Sequence, residues 1–299
     1  MRLSLRGSRE TVTVDVEERS LRLLTVEGGK VQKWGHVLLE PGLVEKGLIR
    51  DPQPMAWAIK ALFREQRAPK TAVISSLTMT GLDSTSTILN MPKIRPSLLE
   101  NAIAREVKRE MPVPVEELYL SHQIIGERGD TQQVYVLGVP RNLVDAHVKT
   151  FQAAGIKLKA MDLKPFALVR AVNRKDAIIA DLEEDRFHVI VVVNAIPVIA
   201  RDGPLGQEAS DQEGKSRRLV EELNKTIEFY NHSHPANPLQ ASLPVFLTGA
   251  LMGERSMRNS LARLIDHPIK VPEPPLDYPA HFPIAQYMVN IGLALKKGG

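Results

Sequence analysis

The chain contains one short pattern twice, and this repeat constrains its fold more than any other feature of the sequence. Residues 14–18 (VDVEE) and 180–184 (ADLEE) both read apolar-Asp-apolar-Glu-Glu, and Asp181 follows Asp15 by 166 residues. A five-residue match can arise by chance, so the surroundings of the two copies decide whether the chain is duplicated.

Those surroundings also agree. Residues 11–39 form two extended runs around a Gly28-Gly29 turn, and residues 177–200 repeat this form around a turn at Asn194. Both stretches have the alternation and turn chemistry of β-hairpins. Two halves that each open with a buried strand and a hairpin predict a duplicated α/β domain.

Proline and apolar spacing predict the elements that lie between and after the hairpins. Asp51 precedes a proline at the first turn of one helix, and Pro96 opens another. Apolar spacing predicts further helices at 143–151, 165–172, 219–230, 257–265 and 284–295. Additional strands are predicted at 71–75, 86–89, 119–125, 134–139 and 245–247.

Composition excludes several classes of protein. The 299 residues include no cysteine, which excludes disulfides, thiolate metal sites and cysteine nucleophiles. The net charge is +4, and the basic residues are dispersed, with the densest cluster at 215–218, so we expect no nucleic-acid partner. The most apolar stretch, 189–200, is shorter than the ~20 residues of a membrane-spanning helix, and no signal peptide is apparent. We therefore expect a cytoplasmic protein.

Three local motifs suggest chemistry but fit a structural interpretation better. Residues 209–216 (ASDQEGKS) approach a phosphate-binding loop, but they lack its first glycine and contain two acidic side chains. His232 and His234 lie near each other in a predicted loop without a third ligand. Adjacent carboxylates such as Glu116-Glu117 do not face each other on a helix or a strand. We therefore expect no catalytic residue and no metal site.

Short sequence pieces along most of the chain stand in the order found in one family. They are Ala102-Ile103 with Glu106, Pro112-Val113-Pro114, 123–126, 139–141, 153–157, 166–171, 221–223, 227–230, Leu247-Thr248-Gly249 and 292–295. The duplicated hairpin that opens on apolar-Asp is also how actin-like ATPases begin their two phosphate loops. On these residues the chain resembles the PilM-type family of actin-like type IV pilus assembly proteins.

The resemblance implies a duplicated actin-like (ribonuclease H-like) α/β fold with two lobes. An α+β subdomain is expected as an insertion in the first lobe. We expect the first actin-like subdomain over 1–71, the inserted subdomain over 72–160, a helix returning to the first lobe over 161–176, the second lobe over 177–281, and a C-terminal helix packing back on the first lobe over 282–299.

The resemblance also implies a scaffold that binds the N-terminal cytoplasmic tail of a PilN-like inner-membrane protein. Such a scaffold would reach the cytoplasmic face of the inner membrane only through that partner. We expect the tail to enter a groove between the first lobe and the inserted subdomain, partly by adding to a sheet edge. The candidate groove residues are Ala102, Ile103, Glu106, Pro112 and Pro114. The alternative is that Ala102 and Ile103 pack in the core of the subdomain.

The family usually binds ATP and magnesium between its lobes, and this sequence departs from it there. Glycine and small hydroxyl residues follow each phosphate-loop aspartate in the family, because bare backbone lets amides approach phosphates. Acidic residues follow both aspartates here, and the adenosine motif keeps one glycine. We expect a degenerate nucleotide cleft without a cofactor, formed by Asp15, Glu17, Asp181, Glu183, Thr248 and Gly249.

Magnitudes support a degenerate cleft. Two like charges ~5 Å apart at an effective dielectric of ~20 repel by roughly 3 kcal/mol, and a hydrogen bond to a charged group contributes only about 1.5–3 kcal/mol. An alternative hypothesis is an ATP- and Mg-binding switch or slow ATPase, in which Asp15 and Asp181 face magnesium. A third hypothesis is an actin-like filament former, since self-association stays open.

Overall fold

The computed structural model describes residues 10–79, 85–111, 114–206 and 211–296. Its strands are β1 (Thr11–Val16), β2 (Ser20–Glu27), β3 (Lys30–Leu38), β4 (Val44–Glu45), β5 (Leu48–Ile49), β6 (Val73–Leu77), β7 (Ser86–Pro92), β8 (Leu118–Arg128), β9 (Thr131–Pro140), β10 (Leu158–Leu163), β11 (Ala177–Leu182), β12 (Arg186–Val193), β13 (Ile196–Pro204), β14 (Val245–Thr248) and β15 (Ile269–Lys270). Its helices are α1 (Pro52–Glu65), α2 (Pro96–Glu110), α3 (Arg141–Ala153), α4 (Lys164–Val172), α5 (Gln212–Ser233), α6 (Arg255–Leu264) and α7 (Met288–Ala294). Across these described ranges, no helix is both long and apolar enough to cross a membrane.

Two five-stranded sheets share one topology. Their strand orders are β10-β6-β1-β2-β3 and β13-β12-β11-β14-β15. In each sheet three antiparallel strands are followed by two strands that run parallel to the first. Asp15 pairs with Arg22, and Asp181 pairs with His188, so the register is repeated as well. The duplicated α/β fold predicted from the sequence is therefore confirmed.

Local sequence signals set the ends of the helices. The Asp51 carboxylate accepts a hydrogen bond from the Gln53 amide at 3.1 Å, which caps the start of α1. Pro96 occupies the first turn of α2, where a backbone N–H would have no acceptor within the helix, so proline costs no hydrogen bond. Helix α4 ends where Asn173 adopts a left-handed φ of 53°. The starts of α1 and α2 agree with those predicted from capping and proline residues.

A separate three-stranded antiparallel sheet, in the order β7-β9-β8, packs against α2. Its own core consists of Leu89, Met91, Leu99, Ile103, Val107, Met111, Leu118, Val134 and Val136. We expected an inserted subdomain over 72–160, but β6 pairs with β1 of the first sheet and α3 contacts α1. Strand pairing therefore limits the separate unit to the stretch from β7 to β9.

The last helix packs against the first lobe. Helices α4 and α7 approach each other closely at Gly292, where a Cβ atom would lie 1.8 Å from the carbonyl oxygen of Ala167. The Asn290 side-chain amide donates to the carbonyl oxygens of Thr13, at 3.3 Å, and of Arg22, at 3.2 Å. The predicted helix over 284–295 begins later than expected, because 284–287 form a 3-10 turn.

Strand β10 was not predicted from the sequence. Its residues, LKAMDL, include two charged side chains and are mostly half-buried. The strand lies at the edge of the first sheet and pairs only with β6. Its side chains are therefore less buried, and the sequence lacks a clear alternation of apolar and polar residues.

Candidate functional site

The two aspartates of the repeat occupy equivalent positions at the ends of central strands. Asp15 and Asp181 are each the penultimate residue of their strand, β1 and β11. Each strand then enters a tight turn, in which the amide of Glu17 or Glu183 donates to the carbonyl oxygen three residues later at 2.9 Å. Both turns are therefore built alike, as the sequence repeat predicts.

A hydroxyl group from the neighbouring parallel strand binds each aspartate. The Ser76 hydroxyl on β6 donates to Asp15 Oδ1 at 2.8 Å, and its oxygen accepts from the Val16 amide at 2.9 Å. The Thr248 hydroxyl at the end of β14 donates to Asp181 Oδ1 at 2.5 Å. All of these side chains are buried, so each aspartate is fixed in orientation by its own lobe.

Arg22 on β2 connects the first lobe to the second. Its Nη1 donates to Asp15 Oδ2 at 3.2 Å and to Glu183 Oε1 at 2.9 Å, while its Nη2 donates to Glu183 Oε2. The contact with Glu183 is bidentate, which is the strongest geometry for a guanidinium and a carboxylate. Arg22 therefore binds the acidic turn of the opposite lobe as well as the aspartate of its own.

Lys164 is the second cation at this interface. It is the first residue of α4, and only 1% of its side chain is exposed. Its Nζ lies 2.7 Å from Glu17 Oε1, 2.7 Å from Asp181 Oδ2 and 3.9 Å from Glu183 Oε1. One ammonium group thus joins acidic residues from both lobes. We call Asp15, Glu17, Arg22, Lys164, Asp181 and Glu183 the ionic cluster.

Four carboxyl groups and two cations leave the ionic cluster with an excess of negative charge, which burial opposes. Burial raises the pKa of Asp15, although Arg22 and Lys164 lower it in part. Burial raises the pKa of Glu17 well above its usual value, and Lys164 again offsets part of the effect. Both shifts favour the neutral carboxyl form, so they reduce the negative charge inside the cluster.

The cations of the cluster remain charged, whereas the neighbouring histidine is neutral. Burial alone would lower the pKa of Arg22 and of Lys164, but the surrounding carboxylates more than offset it, and both pKa values lie above the usual range. His188 is buried on β12, and burial together with Lys164 and Arg186 holds its pKa well below the ordinary value.

The arrangement links the lobes instead of repelling them. We expected the acidic residues of the turns to oppose the phosphates of a nucleotide, and the structure places two built-in cations, Arg22 and Lys164, among them. A second contact extends the link toward the surface, since Arg186 Nη1 lies 3.3 Å from Glu18 Oε1 of the first lobe. Opening of the cleft would separate these ion pairs between the lobes.

Gly249 has a structural reason to be glycine. Its φ is +99°, and a Cβ atom there would lie 2.4 Å from the carbonyl oxygen and 2.6 Å from the amide of Leu182. The chain therefore needs glycine where β14 passes close to the end of β11. Thr248, which precedes it, is committed to Asp181. Both residues of the predicted adenosine motif have contacts that the fold itself requires.

The candidate groove residues do not line one surface. We call the sheet β7-β9-β8 together with α2 the α2 unit. Ile103 is 2% exposed and packs in the core of this unit, and Ala102 packs partly against that core. The assignment of these two side chains to a groove wall is corrected, because apolar packing already occupies them. Glu106 accepts a hydrogen bond from Arg109 on the same helix, and Pro114 is exposed. Pro112 lies outside the described residues.

The other sequence motifs are not brought to the ionic cluster. The phosphate-loop-like stretch overlaps the start of α5, where Asp211 caps the helix through the Gly214 amide at 2.8 Å, and residues 209 and 210 lie outside the described residues. His234 stacks on Tyr230 with ring centroids 4.3 Å apart. Within the described part of the chain, no group of three His, Asp or Glu residues is arranged to hold a metal ion.

Sequence reasoning missed Arg22, Lys164, Ser76 and His188. A signal existed for two of them, because Arg22 and His188 lie 166 residues apart, the same separation as the aspartates. Arg22 also lies between leucines in the Leu21–Leu24 part of its strand, and Lys164 lies between two apolar residues, Leu163 and Pro165. Buried charges without an apparent use are the signal that would have predicted partners across the cleft.

Comparisons with known proteins agree with this fold. The family described as type IV pilus assembly protein PilM matches residues 14–199, which is more than half of the chain. A solved "PilM-PilN type IV pilus biogenesis complex" contains a chain with 19% identity and a TM-score of 0.74, over 96% of this chain and 98% of that one. No curated protein is similar enough in sequence to count as a match.

Two more distant structures share the architecture. The ethanolamine utilization protein EutJ from Carboxydothermus hydrogenoformans is 15% identical, with a TM-score of 0.55 over 96% of this chain and 89% of that one. A Bacteroides thetaiotaomicron protein with an actin-like ATPase fold is 10% identical, with a TM-score of 0.50 over 99% and 100%. The two repeated lobes thus form an actin-like fold, and with the family match they lead to the conclusion that the chain belongs to the PilM family of type IV pilus assembly proteins.

Proposed function

We propose that this protein is a non-catalytic scaffold of type IV pilus assembly that works without a nucleotide in its cleft. It would bind the N-terminal cytoplasmic tail of a PilN-like inner-membrane protein and be recruited by it to the cytoplasmic face of that membrane. Family membership and the fold shared with the chain in the PilM-PilN complex support the partner. The ionic cluster supports the absence of a nucleotide.

The observation that carries the nucleotide-free cleft is the position of Lys164. Its ammonium lies 2.7 Å from both Glu17 and Asp181, between the two turns where a family member would hold ATP and magnesium. A divalent cation binds through carboxylate oxygens, and these oxygens already have a buried cation. The residues present therefore do not fit ATP and magnesium unless Lys164 and Arg22 are displaced.

The alternative is a nucleotide-binding switch or slow ATPase on the same fold. One observation favours it, because Asp15 and Asp181 keep equivalent positions at the ends of β1 and β11. In that case ATP with magnesium would separate the ionic cluster and shift the lobes. Binding to the folded state would then raise the melting temperature, which gives a simple discriminating measurement.

The tail site is proposed at the junction of the α2 unit with the first lobe. A depression of ≈520 Å³ lies there, and Glu116, Leu118, Pro140 and Arg141 are among its lining residues. The Arg141 guanidinium stacks 4.2 Å from the centre of the Tyr119 ring, and Tyr119 is 40% exposed. A rigid pair of this kind at the rim of a depression suits capture of an extended peptide.

The nucleotide-free cleft is tested by titration calorimetry with ATP and magnesium. Binding tighter than ~100 μM, about −5.5 kcal/mol, would contradict it and favour the switch. No heat of binding, together with an unchanged melting temperature, is the expected result.

The partner is tested separately with a labelled peptide that has the sequence of a PilN-like N-terminal tail. The full chain should bind it, and the double variant Tyr119→Ala, Arg141→Ala should bind at least tenfold more weakly. Arg128→Ala is the matched control, because Arg128 is exposed at the far end of the same strand, β8. Equal affinity of the double variant and the control would exclude the depression as the site.

A further inference from the structure

Helix α1 presents an exposed tryptophan to solvent. Its apolar face is buried through Met55, Ile59, Leu62 and Phe63, but 65% of Trp57 is exposed on the opposite side. The other tryptophan of the chain, Trp34, packs edge-on against Phe282 with ring centroids 5.1 Å apart. Trp57 thus has no structural role that explains an indole at this position.

Basic side chains share a depression with this tryptophan. Lys60, Arg64 and Lys70 line a depression of ≈510 Å³ together with Trp57. A neighbouring depression is lined by Lys157 and Lys159, along with Glu10. The two depressions adjoin, since the Lys157 amide donates to the Lys70 carbonyl oxygen at 3.0 Å. We call Trp57, Lys60, Arg64, Lys70, Lys157 and Lys159 the basic α1 surface.

The cations of this surface are exposed and uncompensated. Among the residues that the structure describes, none of the five forms an ion pair. The densest basic cluster of the sequence behaves differently, because Arg217 pairs with Glu213 and Arg218 lies 3.0 Å from Glu222. Folding therefore brings five cations without an ion-pair partner together beside α1, from residues that are far apart in the sequence.

We propose that the basic α1 surface binds the anionic phospholipid headgroups of a membrane. Lysine and arginine near an anionic bilayer each strengthen binding roughly fivefold, and the effect decreases with salt. Tryptophan prefers the headgroup region, where its ring is partly buried and its N–H stays hydrated. An anionic bilayer offers negative charge to these cations while it receives the exposed indole.

The same surface is less suited to nucleic acid. Proteins that bind single strands stack successive bases on several aromatic side chains along a groove, and this surface has one ring. Its cations lie around two depressions on a helix and adjoining loops and do not follow a single strand-like track. The sequence analysis expected the protein to reach the membrane only through a protein partner, and lipid binding would add a direct contact. This proposal does not depend on the proposed tail site.

The test is co-sedimentation of the full chain with vesicles. Vesicles of phosphatidylcholine mixed with phosphatidylglycerol should bind the protein, and vesicles of phosphatidylcholine alone should not. The triple variant Lys60→Gln, Arg64→Gln, Lys70→Gln should bind the anionic vesicles roughly a hundredfold more weakly. Tryptophan emission should shift to shorter wavelength on the anionic vesicles, and the variant Trp57→Phe should lose that shift.

The matched control is Arg217→Gln, Arg218→Gln, Lys225→Gln, which removes the same charge from α5. It should retain vesicle binding, and circular dichroism should show that both triple variants are folded. Equal loss in the control, or equal binding to neutral and anionic vesicles, would overturn the proposal. Binding of a DNA oligonucleotide through the same three side chains, with none to vesicles, would assign the surface to nucleic acid instead.

Discussion

Arg22 and His188 occupy the same position in the two halves of the repeat, yet only Arg22 is charged. Each pairs across its hairpin with the aspartate seven residues earlier, Asp15 or Asp181. Burial and the neighbouring Lys164 hold the pKa of His188 well below its ordinary value. The first lobe therefore supplies a guanidinium at this position, and Lys164 supplies the cation for the aspartate of the second lobe.

Replacing Lys164 with methionine should strongly destabilise the protein. The change leaves Glu17 and Asp181 buried without their cation, and such a loss typically costs about 3–5 kcal/mol. Urea unfolding measures the change in the free energy of unfolding. Lys225→Met is the control, because Lys225 pairs with Glu222 at the surface, where a change within about 0.5 kcal/mol is expected. Similar losses in both variants would contradict a central role for the cluster.

The equivalent glutamates of the two turns should differ in their tolerance of glutamine. Glu183→Gln breaks the bidentate contact with Arg22, whereas Glu17 has a pKa raised well above its usual value by burial. A neutral amide at residue 17 resembles the form that burial already favours, and its oxygen can accept from Lys164. We expect Glu183→Gln to cost at least about 1 kcal/mol more than Glu17→Gln in urea unfolding at neutral pH. The reverse order would show that Glu17 carries the critical charge.

His147 should make stability depend on pH in the mildly acidic range. It is fully buried on α3, its Nε2 donates to the Gly47 carbonyl oxygen at 3.0 Å, and burial lowers its pKa from 6.5 to about 4. Below pH 6.5 the imidazole of residue 147 becomes protonated in the unfolded chain but stays neutral in the folded chain. The free energy of unfolding therefore falls as the pH decreases toward 4. The full contribution is about 3 kcal/mol.

Unfolding of the wild type and of His147→Gln across this pH range measures that contribution. The difference between them should shrink as the pH falls, because the variant lacks the titrating group. The raised pKa values of Asp15 and Glu17 act with the opposite sign, since they remove stability as the pH rises, and comparison with the wild type cancels them. His122→Gln, on an exposed part of β8, should leave the profile unchanged.

Gly292→Ala should separate α4 from α7. The added Cβ atom would lie 1.8 Å from the Ala167 carbonyl oxygen, which belongs to backbone and cannot rotate away. Overpacking of this kind costs about 1–3 kcal/mol, and thermal unfolding should show a lower melting temperature. In Gly126→Ala the nearest atom belongs to the flexible Gln133 side chain, at 3.2 Å, so little change is expected. An unaffected Gly292→Ala variant would mean that the helices can move apart freely.

The duplicated fold could be predicted from the sequence because its signals are local. The apolar-Asp strands, the hairpins after them and the proline-opened helices are each encoded within about a dozen residues, the range over which periodicity is informative. Strand β10 was missed because an edge strand with charged residues has little periodic signal. Ile103 was ambiguous, since an apolar residue on a helix predicts burial equally well against its own sheet or a partner.

The ionic cluster could be predicted only in part. The acidic half was visible, because both copies of the repeat carry it, and it suggested a cleft unsuited to a triphosphate. The cations contact residues that are distant in the sequence. Arg22 contacts Glu183, 161 positions away, and Lys164 contacts Glu17, 147 positions away. Contacts over such separations depend on how the sheets are placed, which the alternation of residues along a strand does not specify. The basic α1 surface was hidden for the same reason.

Because the positive charge on Lys164 belongs to the polypeptide, it cannot dissociate, be diluted or be replaced by another ion. If a dissolved ion or nucleotide complex occupied this position, its concentration in the cell would control how often the two lobes are joined. A lysine side chain is present once in every chain, so its occupancy of the cleft does not depend on concentration. We expect any control over this molecule to act at its outer surfaces, through the abundance of whatever docks there.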